Sequence, residues 1–155
     1  MGQPDRHHRQ RRFRTSAPPT GLGPTVVIAF VDTDVLVECL RGTAEADRWL
    51  RSTSRTSFHV PGVVAMELLM GCSTKQELRQ VQRFLKTLTI VWPNASEFAA
   101  AYRLLARHCL TSGMSIPDSL VASMAMSRSA RLYTFNVKDF RVVKHLDVAE
   151  PYARP

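Results

Sequence analysis

Residues 25–36 read TVVIAFVDTDVL. The run Val26–Val31 is continuously apolar and rich in β-branched side chains, as expected of a strand covered on both faces in a parallel sheet. It stops at Asp32. Asp32-Thr33-Asp34 then leads into Val35–Leu40, a helical stretch ending at Gly42. Working outward, Ala44–Arg55 reads as a polar-faced helix with Trp49 and Leu50 inward, and Ser57–Val60 as a short strand. Pro61 suits the first position of a helix, where the missing N–H is not needed, and that helix runs to Met70 before Gly71. Thr74 with Glu77 forms a capping box for a helix to Leu88, and Thr89–Trp92 is a third strand. Asn94 with Glu97 caps a helix to Thr111, and Pro117 opens another to Ser129. Arg131–Phe135 is a strand, Val137–Phe140 a short turn or helix, and Leu146–Val148 a last strand. Strands alternate with helices throughout, which predicts an α/β fold of three layers, α/β/α, around a mostly parallel sheet.

Composition sets the outer bounds. The chain has 155 residues, suited to one domain. Hydrophobic residues make up 45% and charged residues 22%, so a core can form without disulfides or a structural metal. The cysteines Cys39, Cys72 and Cys109 are odd in number and far apart. No zinc spacing occurs. Each lies in an apolar helical stretch and is expected to be a buried free thiol, which fits the reducing cytoplasm. No apolar run approaches the roughly 20 residues of a bilayer span, and no secretory signal pattern is present, so no membrane partner is expected.

Net charge is +8. Half of it falls in residues 1–25, where five arginines face Asp5 in a Pro- and Gly-rich stretch. That stretch is too polar to bury itself and is expected to be a disordered tail, leaving residues 26–155 as the domain. A basic chain attracts polyanions, RNA among them. The tail is either inert or an auxiliary RNA-binding arm.

Function turns on carboxylates. In open α/β sheets the working site lies at the carboxyl ends of the strands. Asp32, where the first strand ends, should point there. Asp34 is well placed to be the N-cap of the next helix. Glu67 has Val63, Val64, Met70 and Gly71 as its helical neighbours, so its acid projects from an apolar face. An unpaired charge there is unfavourable. It therefore answers either to a buried arginine or to an active site. Asp118 lies in the first turn of its helix, where the dipole alone favours an acid, but the same face continues with the small residues Val121, Ala122 and Ala125. Asp139 follows the Arg131–Phe135 strand, either near the site or in solvent. Patterns for a P-loop, a dinucleotide loop or a nucleophile elbow are absent.

Four segments in order, VDTDVL, PGVVAMELLMG, IPDSLVASMA and LYTFNVKDF, resemble the motifs of PIN-domain ribonucleases. The resemblance is strongest to the toxins of bacterial VapBC-type toxin–antitoxin pairs and covers roughly Val26 to Tyr152. It implies a metal-dependent endoribonuclease that works on RNA with Mg²⁺ or Mn²⁺, a cognate antitoxin protein and a homodimer. By the same resemblance Asp32, Glu67 and Asp118 are the catalytic acids, with Asp32 and Asp118 as metal ligands. The family often has Thr-Arg-Asn or Thr-Arg-Asp before its last acidic turn. Here Thr134-Phe135-Asn136 stands instead, so the fourth site residue is Asp139 or Asn136. Sharing one face of a helical turn, Asp139 would supply the acid and Asn136 would orient water or substrate. Hard oxygen ligands without His or Cys do favour Mg²⁺ or Mn²⁺ over zinc.

Two rivals remain. Haloacid-dehalogenase-like phosphatases also place Asp-x-Asp after the first strand, and FVDTDVL is similar, although their late paired-Asp motif has no convincing equivalent here. A non-catalytic PIN-like module that binds RNA or protein is the other, favoured by the departure at Phe135.

Overall fold

The apolar run becomes the middle strand of the sheet. In the computed structural model, which describes residues 27–53 and 56–154, β1 is Val27–Val31. Its last three residues, Ala29, Phe30 and Val31, are fully buried, while Val27 and Ile28 at the opposite end are exposed. Parallel pairing on one side joins it to β2 (Thr56–Pro61), with Ala29 opposite Phe58. On the other side it joins β4 (Arg131–Tyr133), with Val31 opposite Tyr133. β3 (Thr89–Val91) pairs with β2, and β5 (Val148–Ala149) with β4, giving the order β3-β2-β1-β4-β5, parallel throughout. The chain builds outward from β1 through β2 and β3, then crosses back to β4. That reversal opens a crevice at the carboxyl ends of β1 and β4, where α/β sheets place their sites.

Among the described residues seven helices cover the sheet: α1 (Thr33–Arg41), α2 (Ala44–Ser52), α3 (Gly62–Met70), α4 (Lys75–Leu85), α5 (Ala95–Ser112), α6 (Ile116–Ser127) and α7 (Val137–Phe140). The α/β/α expectation holds. The core joins Phe30 and Leu132 of the sheet to Leu36, Val64, Val121, Met124 and Phe140 of the helices. Trp49 of α2 packs on Phe58 (4.9 Å between ring centroids) and Tyr133 (5.1 Å). Among the described residues no helix is long and apolar enough to cross a membrane. The tail at 1–25, Val26 and Arg55 lie outside the described residues; the second helix, expected to reach Arg55, ends at Ser52, where the Thr53 N–H closes it on the Trp49 carbonyl (3.1 Å).

Element boundaries shift where side chains intervene. The first helix starts at Thr33, with Asp32 and not Asp34 as its N-cap. The Asp32 carboxylate sits where the Thr33 N–H can reach it, 2.8 Å away, and Asp34 is committed elsewhere. Pro61 is the residue before α3 and caps without a side-chain bond. Thr74 caps α4, but Glu77 turns to the Ser73 N–H (2.7 Å), so the expected box is only half formed. That helix ends at Leu85 because Thr87 bonds the Phe84 carbonyl through both its N–H (2.9 Å) and its hydroxyl (2.7 Å). The chain then turns to bury Leu88. The Asn94–Glu97 box on α5 forms in full. Of the cysteines, Cys39 and Cys72 are half-buried and Cys109 is exposed. The correction at Cys109 has a simple cause: α5 is amphipathic only in part, and Tyr102 and Leu110 on it also face solvent.

Gly62, at the start of α3, lies against the Trp92 ring. A Cβ there would stand 2.2 Å from Trp92 Cε3. Gly62→Ala therefore must displace a large flat ring, an overpacking of about 2 kcal/mol. Denaturant melts followed by tryptophan fluorescence check this. An unchanged midpoint would mean that the ring yields without loss.

Candidate active site

Asp32 sits at the mouth of the crevice. Its backbone N–H extends the β1–β4 ladder to Tyr133 O (3.0 Å), and its Oδ1 accepts the Thr33 N–H. Burial in the crevice pushes its carboxyl up to about 6, and the charges of Asp34 and Glu67 push the same way. The Thr33 N–H and the Thr134 hydroxyl oppose this, but do not offset it.

Asp34 reaches across the crevice. Its Oδ2 accepts the Phe135 N–H (3.0 Å) and lies 3.5 Å from the hydroxyl of Thr134, which is fully buried. The Thr134 hydroxyl in turn accepts the Asn136 N–H (3.0 Å). Asp34 thus ties the loop after β4 to α1, which is why β4 ends at Tyr133 instead of Phe135. Its second oxygen, Oδ1, is buried with no hydrogen-bond partner among the described residues. Burial raises the Asp34 carboxyl as well.

Glu67 comes from α3. Its Oε2 accepts the Thr33 hydroxyl at 2.6 Å, so Thr33 links Glu67 to the Asp32 turn. Among the described residues no arginine answers it. The acid that does pair with an arginine is the buried Glu97, held by the half-buried Arg128 through Nε (2.8 Å) and Nη2 (2.9 Å).

Asp118 lies on the first turn of α6 and folds back on its own cap. Its Oδ2 accepts the Ser115 N–H (2.9 Å) and hydroxyl (2.6 Å), and the Asp118 N–H donates to Ser115 Oγ (3.2 Å). Behind it Val121, Ala122 and Ala125 are buried, as their small size allows. Asp139 and Asn136 do share one turn. The Asn136 side-chain amide donates to Asp139 Oδ2, and the Asp139 N–H donates to Asn136 O (3.1 Å).

The structure therefore brings Asp32, Asp34 and Glu67 together, with Thr33 and Thr134 between them. Asp118 and Asp139 hold to local partners. Among the described residues no three His, Cys, Asp or Glu side chains, as they lie, form a group able to ring a metal ion. Sequence reasoning gave Asp34 only a capping role and passed over Thr33 and Thr134. The Asp-Thr-Asp spacing was the available signal, because a residue two past a cap can turn its side chain back across the strand ends.

A family model described as the PIN domain matches residues 29–146. A ribonuclease VapC1 from Rickettsia felis is 24% identical over 126 residues, covering 76% of this chain and 92% of that protein. The crystal structure of VapBC2 from the same organism, bound to a promoter DNA fragment, superposes with a TM-score of 0.68 at 23% identity, over 80% of this chain and 98% of that one. VapC20 of Mycobacterium tuberculosis, a toxin that cleaves the sarcin-ricin loop, gives 0.57 at 19% identity, over 75% and 95%. The match runs through all the segments that carry the carboxylates and leaves the phosphatase reading without support: the chain belongs to the PIN domain family.

Proposed function

We propose that this chain is a divalent-cation-dependent endoribonuclease and the toxin of a type II toxin–antitoxin pair. The observation that carries the reading is the gathering of acids at the end of β1, none of which forms an ion pair among the described residues. Asp32, Asp34 and Glu67 lie close enough for their charges to act on one another, with hydroxyls and N–H groups for company, and Asp34 Oδ1 has no hydrogen-bond partner among the described residues. Two carboxylates about 4 Å apart repel by roughly 4 kcal/mol at an effective dielectric of 20. A fold keeps such a set where a cation is to be bound. The donors are all oxygens, which suits Mg²⁺ or Mn²⁺.

Asp32 and Asp118 are the proposed ligands, with the orphaned Asp34 oxygen a further donor. Asp118 would have to give up its Ser115 partners to join them. When bound, the cation activates water and stabilises charge on the phosphodiester. Glu67, kept in place by the Thr33 hydroxyl, orients that water. Asn136 and Asp139, already joined, flank the strand as substrate-orienting amide and fourth acid. The relatives' names support RNA as substrate and an antitoxin as protein partner. A homodimer fits the apolar side chains that remain exposed. They lie mainly on α5 and around it, at Trp92, Phe98, Tyr102 and Leu110, with Met66 and Met70 on α3.

One observation favours the non-catalytic reading: Asp118 is occupied by its own cap. Induced expression separates the two. Parent chain should arrest growth and degrade RNA, and Asp118→Asn should lower purified cleavage by about a hundredfold or more. An Asp118→Asn protein as toxic and as active as the parent would sink the assigned site.

A further inference from the structure

Because every strand is parallel, the chain leaves β5 at the same end of the sheet as Asp32 and Thr134. The segment that follows returns over the crevice. Tyr152 stands edge-on to the Phe135 ring, 5.1 Å between centroids at 78°. Two residues later the Arg154 guanidinium lies over the same ring, 3.8 Å from its centroid. Phe135 is also the residue whose N–H holds Asp34 Oδ2. Its backbone therefore pins an acid of the cluster while its ring carries a cation, and the positive charge of Arg154 acts on Asp34. Arg154 is exposed and forms no ion pair among the described residues.

A guanidinium seated on an aromatic face keeps its N–H donors pointing outward, in the planar fork that matches two phosphate oxygens. A phosphodiester approaching Asp32, Asp34 and Glu67 meets three negative charges. A cation fixed at the rim offsets that repulsion without neutralising the acids. We propose that Arg154, seated on Phe135, is a substrate-positioning residue that grips a non-bridging phosphate oxygen of the RNA strand entering the acid cluster. This rests on the ribonuclease reading above.

The test uses the full chain with two readouts. In cleavage assays Arg154→Ala should raise KM about tenfold with kcat changed less than about threefold, as for lost ground-state binding. In binding assays on the Asp32→Asn background, with a short single-stranded 2′-O-methyl oligoribonucleotide of mixed sequence, removing Arg154 should lower the salt slope by about 0.7, one phosphate contact. Arg154→Lys should restore the slope but not the KM, since a lysine keeps the charge and loses the fork. Phe135→Leu should raise KM with the slope kept. An unchanged slope and KM in Arg154→Ala overturn the proposal. So does a lowered Tm with kcat/KM intact, which marks a C-terminal latch only. Lack of any cleavage by the parent strikes the ribonuclease reading, whereas an unchanged slope in a parent that does cleave strikes Arg154 alone.

Discussion

Asp32→Asn is expected to abolish RNA cleavage, by about a thousandfold or more, and at the same time to make the cation-free protein more stable. Both effects come from one cause. An aspartate in an unfolded chain loses its proton near pH ~3.9, whereas Asp32 in the fold keeps it up to about 6. Across that window the folded state binds more protons than the unfolded one. The contribution of Asp32 is therefore fully present below the unfolded value and is lost as pH rises through about 6. At neutral pH its ionised form, partly screened by water, destabilises the fold by about 2 kcal/mol. Asparagine keeps the shape and carries no charge. Thermal melts in chelator at about pH 8 should show the variant several degrees above the parent. Mn²⁺ should raise the parent and leave the variant where it is. Equal melting in chelator would show that burial does not strain this acid.

The fold was legible because β1 is so plainly apolar and because strands and helices alternate without interruption. Most caps were readable too, as with Asn94 and Glu97, since a cap depends on neighbours in the chain. The errors share a cause. Asp34 looked like a cap because its local setting permits one, yet its true partners, Thr134 and Phe135, are a hundred residues away in sequence. Cys109 sits in an apolar pattern on a helix whose outer face is apolar as well. Arg154 lies past the last strand, with no periodicity to mark it, and comes near the acids only because the sheet is parallel. The order of the acids along the chain was visible; which of them meet in the resting fold was not.

Glu97→Gln is expected to be the most destabilising single change outside the crevice, by about 3 kcal/mol or roughly 10 °C in Tm. Glu97 is almost fully buried near the start of α5. Its oxygens bond Arg128 and Ser127 at the end of α6 and the Asn94 N–H (2.8 Å), while Arg128 also donates to Trp92 O (3.0 Å). This pair fastens α5 to α6, the helix that carries Asp118. Arg128 holds the Glu97 carboxyl down at about 2, with burial opposing. Here the sign is the reverse of Asp32. The stabilisation is present above the unfolded value of ~4.3 and is lost as pH falls through about 2. Glutamine removes the charge and leaves a half-buried guanidinium without its counter-ion. The parent should lose its margin over the variant as the buffer is taken from about pH 6 toward 3. A margin under about 1 kcal/mol at neutral pH would reduce the pair to a surface contact.

RNA cleavage by chelator-treated protein, with Mg²⁺ then added back, tests the central claim most directly. Parent and Asp32→Asn proteins should be prepared side by side. The predicted result is no cleavage by either in chelator, and cleavage restored by Mg²⁺ in the parent alone. Cleavage of equal rate by both proteins, or cleavage by the parent that persists in chelator, would contradict a carboxylate-held cation at the end of β1.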